Sequence, residues 1–302
     1  MKVFLTGGTG FVGAFLSREL ISKGYDITIL SRQKEPPASL PKGIRFVNGD
    51  PKEAGPWMAE VAQHDWIINL AGSSIFGKWT EESKKMLHDS RILTTKNLVT
   101  ALADGDRRQL FCSTSAPGYY GPRGEEELTE ASPPGQDFLA RLAQEWEAEA
   151  AKAQDLGIRT VITRFGIALG QGGGMLEQLV PLFKSFVGGP VGSGEQWLSW
   201  VHQMDLVRAY LFLPEHPDLA GPVNFTSPNP VRNRDFAKAL GKALGRPAFM
   251  PAPAFMMRLM LGELADVVLT GQKFLPQKLS AAGFEFLYPT IDRALQHLVG
   301  KN

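Results

Sequence analysis

The stretch FLTGGTGFVGAFL, residues 4–16, limits the fold more than any other part of the chain. It has a short apolar strand, a run of glycines, and then the first turn of a helix. Glycines permit a tight turn and close helix–strand packing, and the helix N-terminus presents free N–H groups to an anion. A glycine turn without a ligand is the alternative. In this strand–turn–helix context the pattern predicts a site for the pyrophosphate of a dinucleotide, formed by Gly7, Thr9, Gly10, Phe11, Val12 and Gly13.

The first half of the chain alternates apolar, β-branched segments with segments of helical periodicity. Such repeated units with near-continuous apolar strands are typical of a parallel sheet covered by helices on both faces. We therefore predict an α/β fold with a doubly wound parallel sheet, of the Rossmann type. The predicted strands are 2–6, 26–30, 44–47, 66–70, 110–113, 160–164 and 223–226. The predicted helices are 11–23, 80–103, 137–156 and 233–244.

After residue 165 the sequence becomes rich in glycine and proline, and its elements become shorter. We predict a dinucleotide-binding domain over 1–165, to which 201–226 returns. A smaller, partly helical substrate domain is expected from 166–200 and 227–302. Its glycine-rich loops GQGGGM and GGPVGSGEQW could be mobile lids or plain connections. The methionine-rich stretch MPAPAFMMRLMLGELADVVL predicts a packed helix, because methionine fills irregular core gaps; a partner-binding surface is the alternative.

Composition excludes several classes of protein. The 302 residues carry a net charge of +1, which gives no general electrostatic reason to bind nucleic acid or an anionic membrane. The single cysteine, Cys112, allows no intrachain disulfide, and no cysteine–histidine cluster has the spacing of a metal site. The chain starts directly with a strand, without a secretory signal, and no window approaches 18 uninterrupted apolar residues. We expect a cytoplasmic protein that takes a small-molecule substrate.

The residues after the second strand predict which dinucleotide is bound. An acidic side chain there would bind the ribose 2′-hydroxyl of NAD, but this chain has Ser31 and Arg32. A hydroxyl and a positive charge suit a 2′-phosphate, so NADP(H) is the predicted cofactor. Asp50, after the third strand, is placed to accept a hydrogen bond from the adenine amino group, or to cap a turn.

Further candidate contacts follow the later strands. Leu70, Ala71 and Gly72 could bring the backbone close to the cofactor ribose, or could simply end the fourth strand. Arg91 lies on the helix 80–103 and could bind cofactor or substrate, or form a surface ion pair. Arg164 ends the sixth strand, where a buried arginine needs an anionic partner. A cofactor phosphate or the substrate could be that partner.

Several motifs together resemble the extended short-chain dehydrogenase/reductase superfamily. The tail over 251–289, together with DSRILTTKNL and FLARLAQEWEAEA, resembles epimerase-family proteins of the YfcH type. The superfamily resemblance implies a nicotinamide cofactor, whereas the subfamily resemblance implies no defined substrate. The superfamily motifs are TGGTGFVG at 6–13, NLAG at 69–72, STSAPGYYG at 113–121, TRFGIALG at 163–170 and WLSWVHQMDLVRA at 197–209.

The resemblance also implies catalytic residues that this chain lacks. Superfamily enzymes use a tyrosine as general acid/base and a lysine four residues later on the same helix face. No tyrosine here has a lysine four residues later: the five tyrosines are followed at that spacing by Ile29, Arg123, Gly124, Pro214 and Asp292. On the helix 137–156, the matching positions hold Phe138 or Leu139, then Leu142 or Ala143. The predicted dinucleotide-binding loop is thus present, but the usual tyrosine–lysine acid/base pair is absent from the sequence.

Other side chains could replace the pair. Ser113 and Ser115 end the fifth strand, where the superfamily places a hydroxyl on the substrate oxygen; alternatively they only end the strand. Tyr119 and Tyr120 follow in a loop, as an acid/base or as aromatic packing against the nicotinamide. His202 is expected to be structural, and Asp205 to cap the next helix.

Two functions are compatible with these observations. The first is an NADP(H)-dependent oxidoreductase or epimerase with a non-standard acid/base. The second is a non-catalytic NADP(H)-binding regulator or redox sensor, with a link to cell division that the resemblance supplies. The expected oligomeric state is a monomer or a homodimer.

Overall fold

A computed structural model describes residues 1–37 and 40–300. Its strands include all seven that the sequence predicts, with ends shifted by one or two residues, together with several short additional ones. They are β1 (Lys2–Thr6), β2 (Asp26–Ser31), β3 (Arg45–Asn48), β4 (Trp66–Asn69), β5 (Leu110–Ser115), β6 (Glu127–Leu128), β7 (Arg159–Phe165), β8 (Ile167–Leu169), β9 (Trp197–Leu198), β10 (Trp200–His202), β11 (Gly221–Phe225), β12 (Val231–Arg232) and β13 (Lys273–Phe274).

The four predicted helices are also present, and others are added in the second half of the chain. Within the described residues, no helix combines the length and apolar character that crossing a membrane requires. The helices are α1 (Phe11–Ser22), α2 (Met58–Val61), α3 (Glu81–Leu102), α4 (Phe138–Asp155), α5 (Gly174–Lys184), α6 (Gln203–Phe212), α7 (Asn233–Leu244), α8 (Ala254–Leu261), α9 (Leu264–Thr270), α10 (Gln277–Ala281) and α11 (Ile291–Val299), with short 3₁₀ turns at Pro117–Tyr120 and Leu213–Glu215.

The main sheet has seven strands in the order β11-β7-β5-β4-β1-β2-β3, and all neighbours are parallel. The chain proceeds outward from β1 to β2 and β3, then returns to β4 and proceeds to the other edge. The strand order therefore reverses between β1 and β4. In open parallel sheets, ligands bind at such a reversal, outside the carboxyl ends of the strands. The predicted doubly wound α/β fold is confirmed.

Helices cover both faces of this sheet, which explains why its strands are apolar on both sides. On β1, Val3 and Leu5 pack in one cluster with Leu16 of α1, whereas Phe4 packs in another with Leu98 of α3. Successive side chains of a strand point to opposite faces. A strand covered on both faces is therefore mostly apolar, and its buried polar residues, such as Thr163 and Arg164 on β7, need hydrogen-bond partners.

The second half of the chain contributes to both parts of the molecule. Strand β11 joins the edge of the main sheet beside β7, and α6 packs against α1. A separate apolar cluster around Trp200, Phe236 and Leu295 is formed mainly by α5, α7 and α11. Strand β13 pairs with β6, so the C-terminal region is hydrogen-bonded to the loop that follows β5.

The methionine-rich stretch differs from its prediction. It forms two short helices, α8 and α9, and α8 has no buried residue. Leu259 is 82% exposed and Phe255 is 69% exposed, whereas α9 buries Leu264 and Ala265. The prediction of a packed helix is therefore wrong for α8. An apolar sequence indicates that burial of the segment is favourable, but it does not show that residues of the same chain bury it.

Candidate functional site

The glycine loop between β1 and α1 has the close packing that its sequence predicts. Gly7 has φ +70°, and a Cβ there would lie 2.6 Å from the carbonyl carbon of Leu70. A Cβ on Gly13 would lie 2.2 Å from the carbonyl oxygen of Gly7. Gly10 precedes α1, and no side chain caps the helix there. The first N–H groups of α1 therefore remain free to bind an anion.

The ring of Phe11 packs against the glycine-rich segment 170–174. A Cβ on Gly173 would lie 2.5 Å from the Phe11 ring, and one on Gly174 would lie 2.9 Å from it. This predicted lid or connection is therefore packed on the first turn of α1. Thr9 and Val12, the other predicted members of the loop, are half-buried in the same turn.

The segment after β2 is held in place by an asparagine that the sequence reasoning missed. Asn48 ends β3 opposite Ser31, and its amide donates to the carbonyls of Arg32 and Gln33 at 3.2 and 3.1 Å. The Ser31 hydroxyl accepts from the Gln33 N–H at 3.1 Å. The Arg32 side chain is exposed, and its backbone is fixed beside the carboxyl end of the sheet. An asparagine at the end of a strand was the available signal.

Asp50 is involved in a turn. Its carboxylate accepts from the Lys52 N–H at 3.0 Å, and the Lys52 ammonium lies 3.6 Å away. The turn-capping alternative is therefore what the structure shows. An adenine contact stays a prediction.

A buried asparagine fixes the end of β4 against β1. The Asn69 side-chain oxygen accepts from the Thr6 hydroxyl at 2.7 Å and from the Ala71 N–H at 3.3 Å. Its amide donates to the hydroxyls of Thr95 and Ser113. Leu70–Gly72 therefore lies directly beside the glycine loop, as the close approach to Gly7 requires.

Arg91 is a half-buried cation without a carboxylate partner among the described residues. Its guanidinium donates to the carbonyls of Ser73 and Leu87, both at 3.0 Å, and it lies 5.2 Å from the Trp146 ring. A Cβ on Gly72 would lie 3.4 Å from it. Burial lowers the pKa of Arg91 to about 10. A half-buried cation with only neutral partners, beside the end of β4, is suited to an anionic ligand.

Arg164 has an anionic partner within the chain. Its guanidinium donates to both carboxylate oxygens of Glu147, at 2.8 and 2.7 Å, and the arginine side chain is 1% exposed. The Ser115 hydroxyl donates to the same carboxylate at 2.6 Å. The expectation that cofactor or substrate would neutralise Arg164 is therefore corrected: Glu147 on α4 does so. A distant glutamate on a helix gave no signal of this pairing in sequence.

The two loop tyrosines differ in what surrounds them. The Tyr120 hydroxyl is buried, donates to Asn224 at 2.7 Å and accepts from Arg164 at 2.9 Å. Burial raises the pKa of Tyr120 to about 12. Tyr119 is half-buried, with its ring 3.5 Å from the Arg164 guanidinium carbon, and its hydroxyl has no partner in the described part of the chain. This geometry disfavours Tyr120 as an acid/base and leaves Tyr119 as the candidate.

The hydroxyls of the two serines at the end of β5 form hydrogen bonds within the protein. Ser113 accepts from Asn69 at 3.3 Å, and Ser115 donates to Glu147. Both residues are buried. A substrate contact by either serine stays a prediction, and this geometry disfavours it because each hydroxyl already serves a buried polar neighbour.

The start of α4, where the superfamily tyrosine would lie, carries an aromatic ring instead. Phe138 begins α4, capped by the Asp137 carboxylate. The Lys84 ammonium, from the first turn of α3, lies 5.5 Å from the Phe138 ring centroid. It also contacts the Glu263 carboxylate, at the turn between α8 and α9, at 2.9 Å. Sequence reasoning missed Lys84 and Glu263, because 179 residues separate them.

The histidine and aspartate near the start of α6 are structural. His202 precedes α6 and accepts from the Met204 N–H at 3.0 Å. Burial, aided by His297, lowers the pKa of His202 to about 3, so the ring is neutral. Asp205 does not cap the helix as predicted. Its carboxylate accepts from the N–H groups of residues 287 and 288, at 2.8 and 2.9 Å, and so fixes the C-terminal segment.

Comparison with known proteins defines the class to which this fold and site belong. The sequence profile of the NAD dependent epimerase/dehydratase family matches residues 3–225, and a domain of unknown function, DUF1731, matches residues 252–298. The chain is therefore a member of the NAD dependent epimerase/dehydratase family, with a DUF1731 domain at its C-terminal end.

Particular relatives are similar over almost the whole chain. An epimerase family protein SDR39U1 homolog, chloroplastic, of Arabidopsis thaliana is 37% identical over 99% of this chain and 87% of its own length. Epimerase family protein YfhF of Bacillus subtilis is 36% identical over 99% of this chain and 98% of its own. The crystal structure of human epimerase family protein SDR39U1 with NADPH has a TM-score of 0.87 and 31% identity, over 99% of both chains.

Proposed function

We propose that this chain binds NADP(H) at the carboxyl edge of its sheet and uses it in the reduction or epimerisation of a small molecule. The free N–H groups at the start of α1 would hold the pyrophosphate, and Arg32 would hold the 2′-phosphate. The observation that carries the proposal is the segment after β2, where Asn48 fixes the backbone of an exposed arginine at the position of the NAD-specific acid. The NADPH in the related human structure supports it. We further propose the narrower YfcH-type assignment on the resemblance of the tail over 251–289, most of which the DUF1731 match covers.

Different residues of this chain would bind the cofactor and transfer the proton. The nicotinamide, when bound, supplies hydride transfer. Arg91, half-buried beside Gly72 and without an anionic partner in the described part of the chain, would compensate negative charge on the cofactor. The Tyr119 hydroxyl would give or take the proton on the substrate oxygen, because Tyr120 is buried and already bonded on both sides.

A non-catalytic NADP(H)-binding regulator is the second candidate. The apolar residues at the positions that match the usual tyrosine and lysine favour it, as does the internal bonding of Ser113 and Ser115. Those positions hold Phe138 or Leu139, then Leu142 or Ala143. The two functions differ in one measurable respect, which is whether bound NADPH is oxidised in the presence of a carbonyl or sugar-nucleotide substrate.

Replacing Arg32 tests the cofactor assignment. Arg32→Ala should weaken NADPH binding by roughly 1.5–3 kcal/mol more than NADH binding, because it removes a charge-assisted contact that only the 2′-phosphate makes. Titration calorimetry with both dinucleotides would measure this. The matched control is Arg107→Ala, an exposed arginine at the opposite, amino end of β5, which should change neither affinity. Equal weakening of NADPH and NADH by Arg32→Ala would contradict the assignment.

Arg91 should show a different pattern. We expect Arg91→Met to weaken NADPH and NADH alike, by about 10- to 100-fold, because the loss of one charge-assisted contact costs about 1.5–3 kcal/mol. The same change should leave the unfolding free energy of the ligand-free protein unchanged or higher. The reason is that even partial burial of an unpaired cation costs stability, which an apolar side chain avoids. Urea unfolding and calorimetry measure the two effects. A clear loss of stability without loss of binding would show that Arg91 is only structural.

Turnover decides between the two candidate functions. A panel of carbonyl compounds and sugar nucleotides is screened by the loss of NADPH absorbance, and the active substrate is retested with Tyr119→Phe and Tyr120→Phe. We expect Tyr119→Phe to lower kcat by at least about 100-fold, since acid–base catalysis contributes about 10²–10⁴-fold. NADPH affinity should be unchanged. Bound NADPH that no member of the panel oxidises favours the regulator, and full turnover by Tyr119→Phe excludes that tyrosine.

A further inference from the structure

One region of the surface carries far more apolar area than the rest. Nine large apolar side chains within 182–187 and 249–260 are between 46% and 82% exposed. We call this the α8 surface. Helix α8 supplies its centre through Phe255, Leu259 and Met260. Of the eight residues of α8, five are exposed to solvent and three are partly buried, at positions 254, 257 and 261.

The two segments of the α8 surface lie side by side. The Met250 N–H donates to the carbonyl of Gly188 at 3.3 Å, and the Ala252 N–H donates to that of Pro190 at 2.9 Å. The Arg246 guanidinium lies 4.7 Å from the Phe186 ring centroid. Helix α8 continues directly from the second segment. The exposed side chains therefore come from adjoining segments, not from scattered positions.

The area of this surface exceeds what a monomer normally exposes. If a large apolar side chain offers roughly 200 Å², the nine together expose on the order of 1,000 Å². The largest apolar patch of a typical monomer is about 300–600 Å². Each partner in a standard protein–protein interface buries about 800 Å². The α8 surface thus has the area of one half of a stable dimer interface.

The charges of α8 and α9 are consistent with self-association. Arg258 is paired with Asp266, Nε to Oδ1, at 3.4 Å, and Glu263 is paired with Lys84. The charged residues of 254–270 are Arg258, Glu263 and Asp266, and Lys84 offsets their net charge of −1, so two copies of the α8–α9 pair can face each other without net repulsion. A polybasic surface for anionic lipid would instead need unpaired cations on this hairpin. Lys184, in the first segment, and Arg246, beside the Phe186 ring, also lie at the α8 surface, but two cations are fewer than the about 4–8 of a polybasic lipid site.

We propose that the α8 surface is the interface of a homodimer, in which α8 of one copy packs against α8 of the other about a two-fold axis. Such an interface is self-complementary, so each interface residue is buried once in each of the two copies. The proposal does not depend on the cofactor or on turnover. The dimer is tested by molecular mass, whereas the proposed function is tested by dinucleotide binding and turnover, so a negative result for one leaves the other unaffected.

The test measures mass by sedimentation equilibrium on the full chain. We expect a dimer in the wild type, and a dissociation constant at least about 100-fold higher for Leu259→Glu, because a buried hot spot is lost on both sides of the axis. Leu259 is exposed in the single chain, so the variant should keep the far-UV circular dichroism spectrum of the wild type. The matched control is Met86→Glu, an exposed apolar residue on α3, which should leave the dimer intact.

Three results would overturn the proposal. One is a wild type that stays monomeric at a concentration of about 100 μM, well above the Kd of a stable complex of this interface size. Another is a dimer that Met86→Glu dissociates and Leu259→Glu does not, which would place the contact on α3. The third is a monomer that sediments with vesicles of phosphatidylcholine and phosphatidylserine, which would make the α8 surface a lipid-binding face.

A cross-linking experiment locates the axis independently. Cys112 is fully buried, so a cysteine introduced by Leu259→Cys would be the accessible thiol of each copy. A short bis-maleimide should join two such chains in high yield, whereas Met86→Cys should give little product. Equal yields from both positions would contradict an interface centred on α8.

Discussion

Replacing Glu147 by alanine is expected to lower the free energy of unfolding by about 3–5 kcal/mol, which is the usual cost of breaking a buried ion pair. Its carboxylate holds the Arg164 guanidinium through two hydrogen bonds and accepts from the Ser115 hydroxyl. Without it, a cation that is 1% exposed has no anionic partner. A protein of this kind is stable by only about 5–15 kcal/mol, so the variant should unfold far more readily. Urea unfolding measures the change.

Two further variants separate the ion pair from helix effects. Glu145→Ala lies on the same helix, with a side chain that is 58% exposed, and should cost less than about 1 kcal/mol. The double variant Glu147→Met with Arg164→Met should recover most of the loss, because matched apolar residues can replace a buried pair at little cost. A Glu147→Ala protein within 1 kcal/mol of the wild type would show that water reaches Arg164.

The second large effect is expected from Gly13→Ala, which should lower affinity for NADPH and NADH by at least about 100-fold. The new Cβ would lie 2.2 Å from the carbonyl oxygen of Gly7, which is backbone and cannot rotate away. Either the loop or the start of α1 must shift, and the N–H groups that would hold the pyrophosphate shift with it. Calorimetric titration of both dinucleotides gives the affinities.

Gly24→Ala is the matched control, at the other end of α1. Gly24 has φ +81°, so alanine there is strained, but its Cβ would meet nothing within 4 Å. We expect a loss of stability of roughly 1 kcal/mol and unchanged dinucleotide binding. If Gly13→Ala bound NADPH within threefold of the wild type, the pyrophosphate would have to lie elsewhere.

Local sequence determined much of the fold, for a physical reason. The inner strands of the main sheet are buried on both faces, so most of their residues are apolar and the strands can be recognised without their neighbours; the edge strand β3 is only partly buried. The glycine loop is equally local: Gly7 needs its positive φ and Gly13 needs its missing Cβ because of backbone within the same strand–turn–helix unit or beside it. The absence of a tyrosine–lysine pair at helical spacing also depends on local positions alone.

Tertiary structure decided which polar groups meet. Arg164 was predicted to need an anion, but Glu147 is 17 residues earlier, and only the packing of α4 on β7 brings it there. Tyr119 and Tyr120 are adjacent in sequence, yet one hydroxyl is buried between Asn224 and Arg164 and the other has no described partner. Asp205 binds residues 287 and 288 instead of capping its own helix.

The sequence by itself therefore determined the doubly wound sheet, the dinucleotide loop and the missing acid/base pair, since these follow from short-range periodicity and backbone sterics. Only the tertiary structure decided that Arg164 is neutralised internally, that Arg91 is a half-buried cation without a carboxylate among the described residues, and that α8 lies exposed. Burial and charge pairing depend on residues far apart in the chain, and no local pattern records where those residues come together.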